Sequence, residues 1–373
     1  MDIVSAEQWQ TELVARRRAV WGIAQQNECD LVLIYGGPGH TDPFRYLTNF
    51  VPVLGDGWAI MRSPSDLVCV LNFTWQLEEA REVSGIKNWN GAFDPLPMLR
   101  EFLSSTSIRR MGVIGLHRIP VTSYEVIRAA QPDIELLDIG APIAVLRRVK
   151  TPLELSLLRE ACHITDAAFD DIRAWLRPGL NELEVAARLA FTMQRLGARL
   201  SFEPTVISGN NKPITIRMPT NRKIASGDTI MIDIGAEFQG YQADASRTFV
   251  LGEPSAAQRA AWDVVQAAYD VALAALGPGK PCNETHTAAL RVIEGAGYKL
   301  AHRIGHGIGL STSFEWPSLD SETALQEPGM TFCIEPGVYG VGFGNMKLED
   351  DVVVTTTGYE LLTHSASTLN LSD

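Results

Sequence analysis

Asp233 and Asp244 lie in IMIDIGAEFQGYQADASRTF, residues 230 to 249, within runs whose apolar and β-branched residues otherwise suit buried strands. A buried carboxylate is costly unless it is paired, capped or bound to a cation. Gly240-Tyr241 supplies a turn that would fold the two runs into a hairpin and bring both acids to one place. The alternative is structural, with Asp244 in a salt bridge to Arg247 or Arg222. Residue type alone does not choose between the two.

Three more segments carry chemistry of the same kind. His306 stands in HRIGHGIGL among Gly305, Gly307 and Gly309, which keep its imidazole reachable and let the backbone approach a ligand. The spacing lacks the strand-turn-helix setting of a dinucleotide fingerprint. Glu335 ends the apolar run of MTFCIEPGVYG, and Glu349 opens a β-branched run in NMKLEDDVVVT. An acid at a strand end can simply be solvated, and a lone histidine is more often structural. Four strand-borne carboxylates with one imidazole, however, are what two hard divalent cations need. Oxygen donors suit Mn2+, Mg2+ or Fe2+, one imidazole admits Co2+ or Zn2+, and bridging acids hold such ions about 3.5–4 Å apart.

Two kinds of element have to position these residues. In residues 1 to 147, a helix pattern at 6 to 27 leads into strand-length runs at 30 to 36, 58 to 63 and 66 to 72. Helices near 74 to 84, 96 to 104 and 121 to 131 then alternate with strands at 110 to 116 and 134 to 139, which indicates an α/β unit. Residues 148 to 373 change character. Thr151-Pro152 with Glu154 reads as an N-cap, a proline at the first helical position and an acid in the first turn. An apolar stripe through Leu155, Leu158, Ala161, Ile164 and Ala168 follows, and a second helix is expected at 181 to 197. From 202 onward strands dominate, with helices at 256 to 276 and 284 to 296, an α+β pattern that permits a helix pair and strands to occur twice.

Composition narrows the function classes. The chain has 373 residues, 46% of them hydrophobic and 20% charged, enough for buried cores in more than one domain. Its net charge of −12 and its short basic runs, Arg16 to Arg18, Arg109-Arg110 and Arg147-Arg148, argue against a nucleic-acid partner. Such runs are usually solvated helix faces or domain-boundary charges. No stretch approaches the roughly 20 apolar residues of a membrane span, and the amphipathic start reads as a surface helix, not a signal peptide. Five scattered cysteines without a CxxC pair fit buried free thiols and a cytoplasmic location.

The four chemistry-bearing segments together resemble the creatinase/prolidase/methionine-aminopeptidase family, whose C-terminal domain has the pita-bread fold. Asp233 in DIG, Asp244 in GYQADASRT, His306 in GHGIG, Glu335 in EPG and Glu349 in KLED match its metal pattern in order. FRYLTNF, residues 44 to 50, is similar to the Tyr-Leu-Thr-Gly signature of the creatinase-like N-terminal domain, with Asn49 in place of glycine. RRVKTPLEL, residues 147 to 155, is similar to the linker helix of prolidases and aminopeptidases P. The resemblance implies an α/β creatinase-like domain at 1–147 and an α+β pita-bread domain at 148–373. It also implies two divalent ions, Mn2+ first, and hydrolysis of small or short-peptide substrates at Xaa-Pro bonds by a metal-bridging water. Glu335 would be both ligand and proton acceptor, and the chain would form a homodimer.

The sequence departs from the peptidases at three places. Two further histidines usual in those enzymes fall here on Ile216 and on Ser313-Phe314, and the arginine usual before the last glutamate is Lys347. Among the remaining histidines, His302 matches one often seen before GHGIG and is expected beside the ligands. His40, His117, His163, His286 and His364 match no family position. A pocket lined by Ile216, Arg217, Phe314 and Trp316 would suit a small, partly apolar or cationic substrate. Arg217 is either a receptor for a substrate carboxylate or a surface charge. Two alternatives to a peptidase therefore stand: a C–N hydrolase or lyase of a small metabolite, and an inactive binding protein.

Overall fold

Apolar runs of strand length, joined alternately by helices and one tight turn, build the first unit of this computed structural model, which describes residues 3–105, 107–210, 215–311 and 315–371. The chain divides into two units, Asp2–Arg147 and Arg148–Asp373. In the first, β1 (Leu31–Gly36), β2 (Gly57–Ser63), β3 (Asp66–Asn72), β4 (Trp89–Ala92), β5 (Arg110–Ile114) and β6 (Glu135–Asp138) form one sheet in the order β4-β3-β2-β1-β5-β6. β1/β2 and the tight hairpin β2/β3 pair antiparallel, while the helix-connected pairs β3/β4 and β5/β6 are parallel. Every residue of β1 is buried, as a central strand with both faces covered requires.

Two local findings follow from hydrogen bonding. Asn49 ends the helix Asp42–Thr48 at φ 55°, a left-handed cap where glycine or asparagine fits best, so the asparagine substitutes there without cost in shape. Arg16 and Arg17 are buried, contrary to the solvated face expected of their run. Arg17 donates to the carbonyls of Leu47 and Ser84, and Arg16 to that of Tyr46, so both satisfy carbonyls at the ends of neighbouring helices.

The second unit opens with the helix Pro152–Trp175. Thr151 Oγ1 accepts from the Glu154 amide at 3.3 Å, and Glu154 Oε2 accepts from the Thr151 amide at 2.8 Å, a capping box worth about 1 kcal/mol. The apolar stripe of this helix is wider than its spacing suggested, because Leu157 is buried and Leu155 only partly so. After the helix Glu182–Arg195 come β7 (Arg199–Leu200), β8 (Thr205–Ser208), β9 (Thr229–Ile234), β10 (Ala236–Phe238), β11 (Tyr241–Gln242) and β12 (Ala245–Val250). A second helix pair, Ala256–Ala274 and Cys282–Gly295, precedes β13 (Gly305–Gly307), β14 (Glu315–Ser318), β15 (Thr331–Ile334), β16 (Gly337–Gly340), β17 (Gly344–Lys347), β18 (Asp350–Val354) and β19 (Tyr359–Leu361). The order of helix pair and strands thus occurs twice. The sheets are β12-β9-β8, β11-β10-β7, β14-β13-β15-β18-β19 and β16-β17.

The hairpin that carries the two aspartates turns one residue earlier than its sequence suggested. Gln239 and Gly240 take φ of 47° and 97°, the pair of positive values that a two-residue turn needs, and Tyr241 already belongs to the return strand.

Candidate metal centre

Strand register brings the five sequence-selected residues together. Asp233 on β9 stands opposite Ser246 on β12, and Ser246 in turn bridges to Glu349, so one row of backbone pairing places two of the acids. Asp244 sits in the break between β11 and β12. The break is forced where the hairpin pinches: a Cβ on Gly235 would lie 1.8 Å from the Ala243 carbonyl oxygen. The Asp244 amide donates to Asp351 Oδ2 at 2.9 Å, which holds the carboxylate-bearing backbone in place. On β13, His306 pairs with Cys333 of β15, and Glu335 directly follows that strand. The glycines beside His306 serve strand packing, not a ligand: a Cβ would lie 2.1 Å from Cys333 O at Gly305 and 2.5 Å from Glu315 O at Gly307.

The side chains converge closely. His306 Nε2 lies 3.5 Å from Asp244 Oδ2 and 3.9 Å from Glu335 Oε1. Its Nδ1 is 2.9 Å from the Gly307 carbonyl, a contact only an N–H can make, which leaves Nε2 with its lone pair toward the acids. Lys347, at the end of β17, places Nζ 2.8 Å from Asp233 Oδ2, 2.9 Å from Glu335 Oε2 and 2.9 Å from Glu349 Oε2. Among the described residues, Asp244, His306, Cys333 and Glu349 each offer a donor atom within 4.8 Å of the others. The salt bridges considered for Asp244 do not form: Arg247 binds Asp350 and Arg222 binds Asp228. Glu349 is not solvated at its strand end but 0% exposed.

Electrostatics marks the cluster as short of positive charge. Burial, then the neighbouring Asp233, pushes the Asp244 carboxyl well above the usual range, with Lys347 opposing. Burial and Asp244 do the same to Glu349. Burial would raise Glu335 too, but Lys347, His302 and His306 hold it below its ordinary value. Lys347 itself stays an ammonium: burial lowers its pKa, and Asp233, Glu335 and Glu349 more than reverse that. Glu349 Oε1 is buried without a hydrogen-bond partner, and Oε2 has only the ion-pair contact to Lys347. An orphaned carboxylate oxygen beside the His306 imidazole fits a divalent cation, which offers the charge and open valences that the acids lack.

The other selected residues divide. Asp233, Asp244, His306 and Glu335 line a cavity of about 570 Å³, with Ile216 and Arg217 on its outer wall. Arg217 is already engaged, with both terminal nitrogens on the fully buried Glu182 at 2.7 and 2.6 Å, so its place as a carboxylate receptor is taken from within the chain. Trp316 is not on this wall, and its ring carries the Arg148 guanidinium at 5.3 Å. Phe314 and Ser313 lie outside the described residues. His302 stands beside Glu335, with Nδ1 3.6 Å from Glu335 Oε2 and Nε2 2.6 Å from Tyr339 Oη.

Lys347, Tyr339 and Cys333 escaped selection as site residues. Each carried a signal: Lys347 and Cys333 stand two residues before a selected glutamate, hence on the same strand face, and Tyr339 alternates with Gly337 after Pro336.

Comparisons with known proteins agree with this arrangement. The sequence pattern described as metallopeptidase family M24 matches residues 156–356. An uncharacterized peptidase of Bacillus subtilis, YqhT, is 30% identical over 329 residues, which span 87% of this chain and 92% of that protein. An Xaa-Pro dipeptidase of Pyrococcus furiosus is 34% identical over 234 residues, 61% of this chain and 67% of that one. The solved Xaa-Pro dipeptidase from Bacillus anthracis superposes with a TM-score of 0.85 at 28% identity, covering 97% of this chain and 99% of its own. The architecture is theirs, an α/β N-terminal domain followed by an α+β pita-bread domain.

Proposed function

This chain belongs to metallopeptidase family M24, and from that footing we propose that it is a metal-dependent hydrolase of short peptides, cleaving Xaa-Pro bonds. The observation that carries the reading is the convergence of Asp233, Asp244, His306 and Glu335 on a cavity of about 570 Å³, with the buried Glu349 behind them, whose Oε1 has no hydrogen-bond partner. We propose these five as the ligand set. A divalent ion held there supplies Lewis acidity and a water of lowered pKa. Hard oxygen donors with one imidazole make Mn2+ the first expectation and admit Co2+, Fe2+ or Zn2+. How many ions the set holds turns on Lys347.

The chain's own groups divide the remaining work. Glu335, kept ionised chiefly by the Lys347 ammonium, takes the proton of the attacking water. Burial lowers the His302 pKa, and its ring is fixed between Tyr339 Oη and the Arg303 carbonyl, so it stands as an oriented neutral imidazole at the cavity wall. Ile216, exposed on the outer wall, offers apolar surface to the substrate.

Residues 1–147 are proposed as the creatinase-like domain and 148–373 as the catalytic domain. A homodimer is proposed on the family resemblance, and a cytoplasmic location on five free, buried thiols. No helix among the described residues is long and apolar enough to cross a membrane. The test is an assay of Mn2+-loaded protein on Xaa-Pro dipeptides and on matched dipeptides without proline. Proline-dependent turnover that a chelator abolishes is expected. No turnover of any Xaa-Pro peptide would overturn the substrate class, and activity that survives chelation would overturn metal dependence.

A further inference from the structure

We propose that the Lys347 ammonium is a built-in cation of this centre, standing in one of its two cation positions, so that each chain binds a single divalent ion. The inference rests on the metal-hydrolase reading and specifies its stoichiometry.

An ammonium has three N–H donors and no acceptor. Lys347 Nζ donates to Asp233 Oδ2 at 2.8 Å and makes ion-pair contacts of 2.9 Å with Glu335 Oε2 and 2.9 Å with Glu349 Oε2. That is the contact set of a small cation bridging three acids. A lysine suits the place because an ammonium is a compact point charge, where a guanidinium would be a planar fork.

The backbone that delivers this charge is fixed. The Lys347 amide donates to Thr248 Oγ1 at 3.0 Å, and that hydroxyl donates back to the Lys347 carbonyl at 2.8 Å. Lys347 also pairs with Gly337 across β16 and β17, and its side chain is 7% exposed. Taking the ammonium elsewhere would strip a buried charge of all three partners, at heavy cost.

The donors left over amount to one ion's worth. Asp244, His306, Cys333 and Glu349 lie within 4.8 Å of one another, and only Glu349 belongs to both groups. Asp233 and Glu335, the selected ligands outside that four-residue cluster, are held by Lys347. A second divalent ion would have to claim Asp233 Oδ2 from the ammonium and then sit beside it, two cations against the same oxygens.

Full-length protein, stripped with a chelator, reloaded with excess Mn2+ and gel-filtered, should carry one ion per chain by elemental analysis. Its electron paramagnetic resonance spectrum should be that of isolated Mn2+. Lys347→Met, neutral and of similar length, should double the content to two ions with a spin-coupled spectrum. Two coupled ions in the unaltered protein would overturn the inference while leaving the metal-hydrolase reading intact. No bound ion would overturn that reading and the inference with it. A folded Lys347→Met that still holds one ion would also overturn the inference, and the unaltered protein's stoichiometry decides the matter where the variant does not fold.

Discussion

Arg247 on β12 donates from Nη1 to the main-chain carbonyl of Glu349 at 2.6 Å, so a buried guanidinium fixes the position of the last carboxylate of the centre. The same side chain reaches Asp350 Oδ1 at 2.6 Å and the Ser365 carbonyl at 2.9 Å, above the ring of Phe169. Arg247→Met leaves Asp350 buried beside Tyr269 and Thr363 without its cation. We expect a loss of about 3–5 kcal/mol in denaturant unfolding, the usual cost of removing one partner of a buried pair. Arg247→Lys should recover only part of it, since one ammonium cannot reproduce the fork. A loss under about 1 kcal/mol, the scale of an exposed pair, would show that the clamp is not structural.

The second prediction concerns acid sensitivity. Glu182 is buried, which alone would raise its pKa, but Arg217, Thr220 and Ser208 hold it down to about 2 against an ordinary 4.5. A folded-state pKa below the unfolded one contributes stability above pH 4.5 and loses it as pH falls toward 2. At about 1.4 kcal/mol per pH unit, the contribution near neutrality is about 3 kcal/mol. Arg217→Met should therefore be less stable than the unaltered chain at pH 7, and the difference should shrink by pH 3 in urea titrations. A gap that is the same at both pH values would refute this account.

Tyr339 orients His302, not the proposed ligands themselves. Tyr339→Phe removes the hydroxyl 2.6 Å from His302 Nε2 and little packing. Partners of this outer kind are worth about 10–100-fold in metal affinity or activity. The expected outcome is a fall of that size in kcat on an unchanged melting temperature, and an unchanged kcat would assign Tyr339 to packing alone.

Glu349→Gln keeps the shape and removes the charge of a residue that belongs to both the ammonium's partners and the metal-competent cluster. Calorimetric titration with Mn2+ should show affinity reduced by at least about 100-fold, since even outer-shell partners reach that scale. Retained affinity would remove Glu349 from the ligand set.

Trp316 lies off the cavity, under Arg148. Trp316→Leu is expected to leave KM unchanged and to cost about 0.5–1 kcal/mol of stability, the worth of an exposed cation–π contact. A raised KM with unchanged stability would return Trp316 to the substrate wall.

Much of this molecule is legible in its residues because local rules govern it. Thr151, Pro152 and Glu154 announce a capped helix whatever surrounds them, since the groups they satisfy lie within one turn. Alternating strand and helix patterns disclose the α/β and α+β units. Asp233, Asp244, His306, Glu335 and Glu349 stand out because acids within apolar strand runs demand compensation. The turn falls at Gln239-Gly240, one residue before Gly240-Tyr241, because glycine marks a turn without fixing which of its positions it takes.

What the sequence by itself determined, then, is which residues carry the charge and on what kind of element each rides. Which charges meet was decided by the tertiary structure, because opposition across a sheet depends on register between segments far apart in the chain. Asp244 had Arg247 and Arg222 as plausible partners, yet folding gave those cations to Asp350 and Asp228. Arg217 went to Glu182, and Lys347, at a strand end, went to the middle of the acids. A side chain's chemistry is written at its own position, whereas its partner is set by the packing of strands that no local pattern encodes.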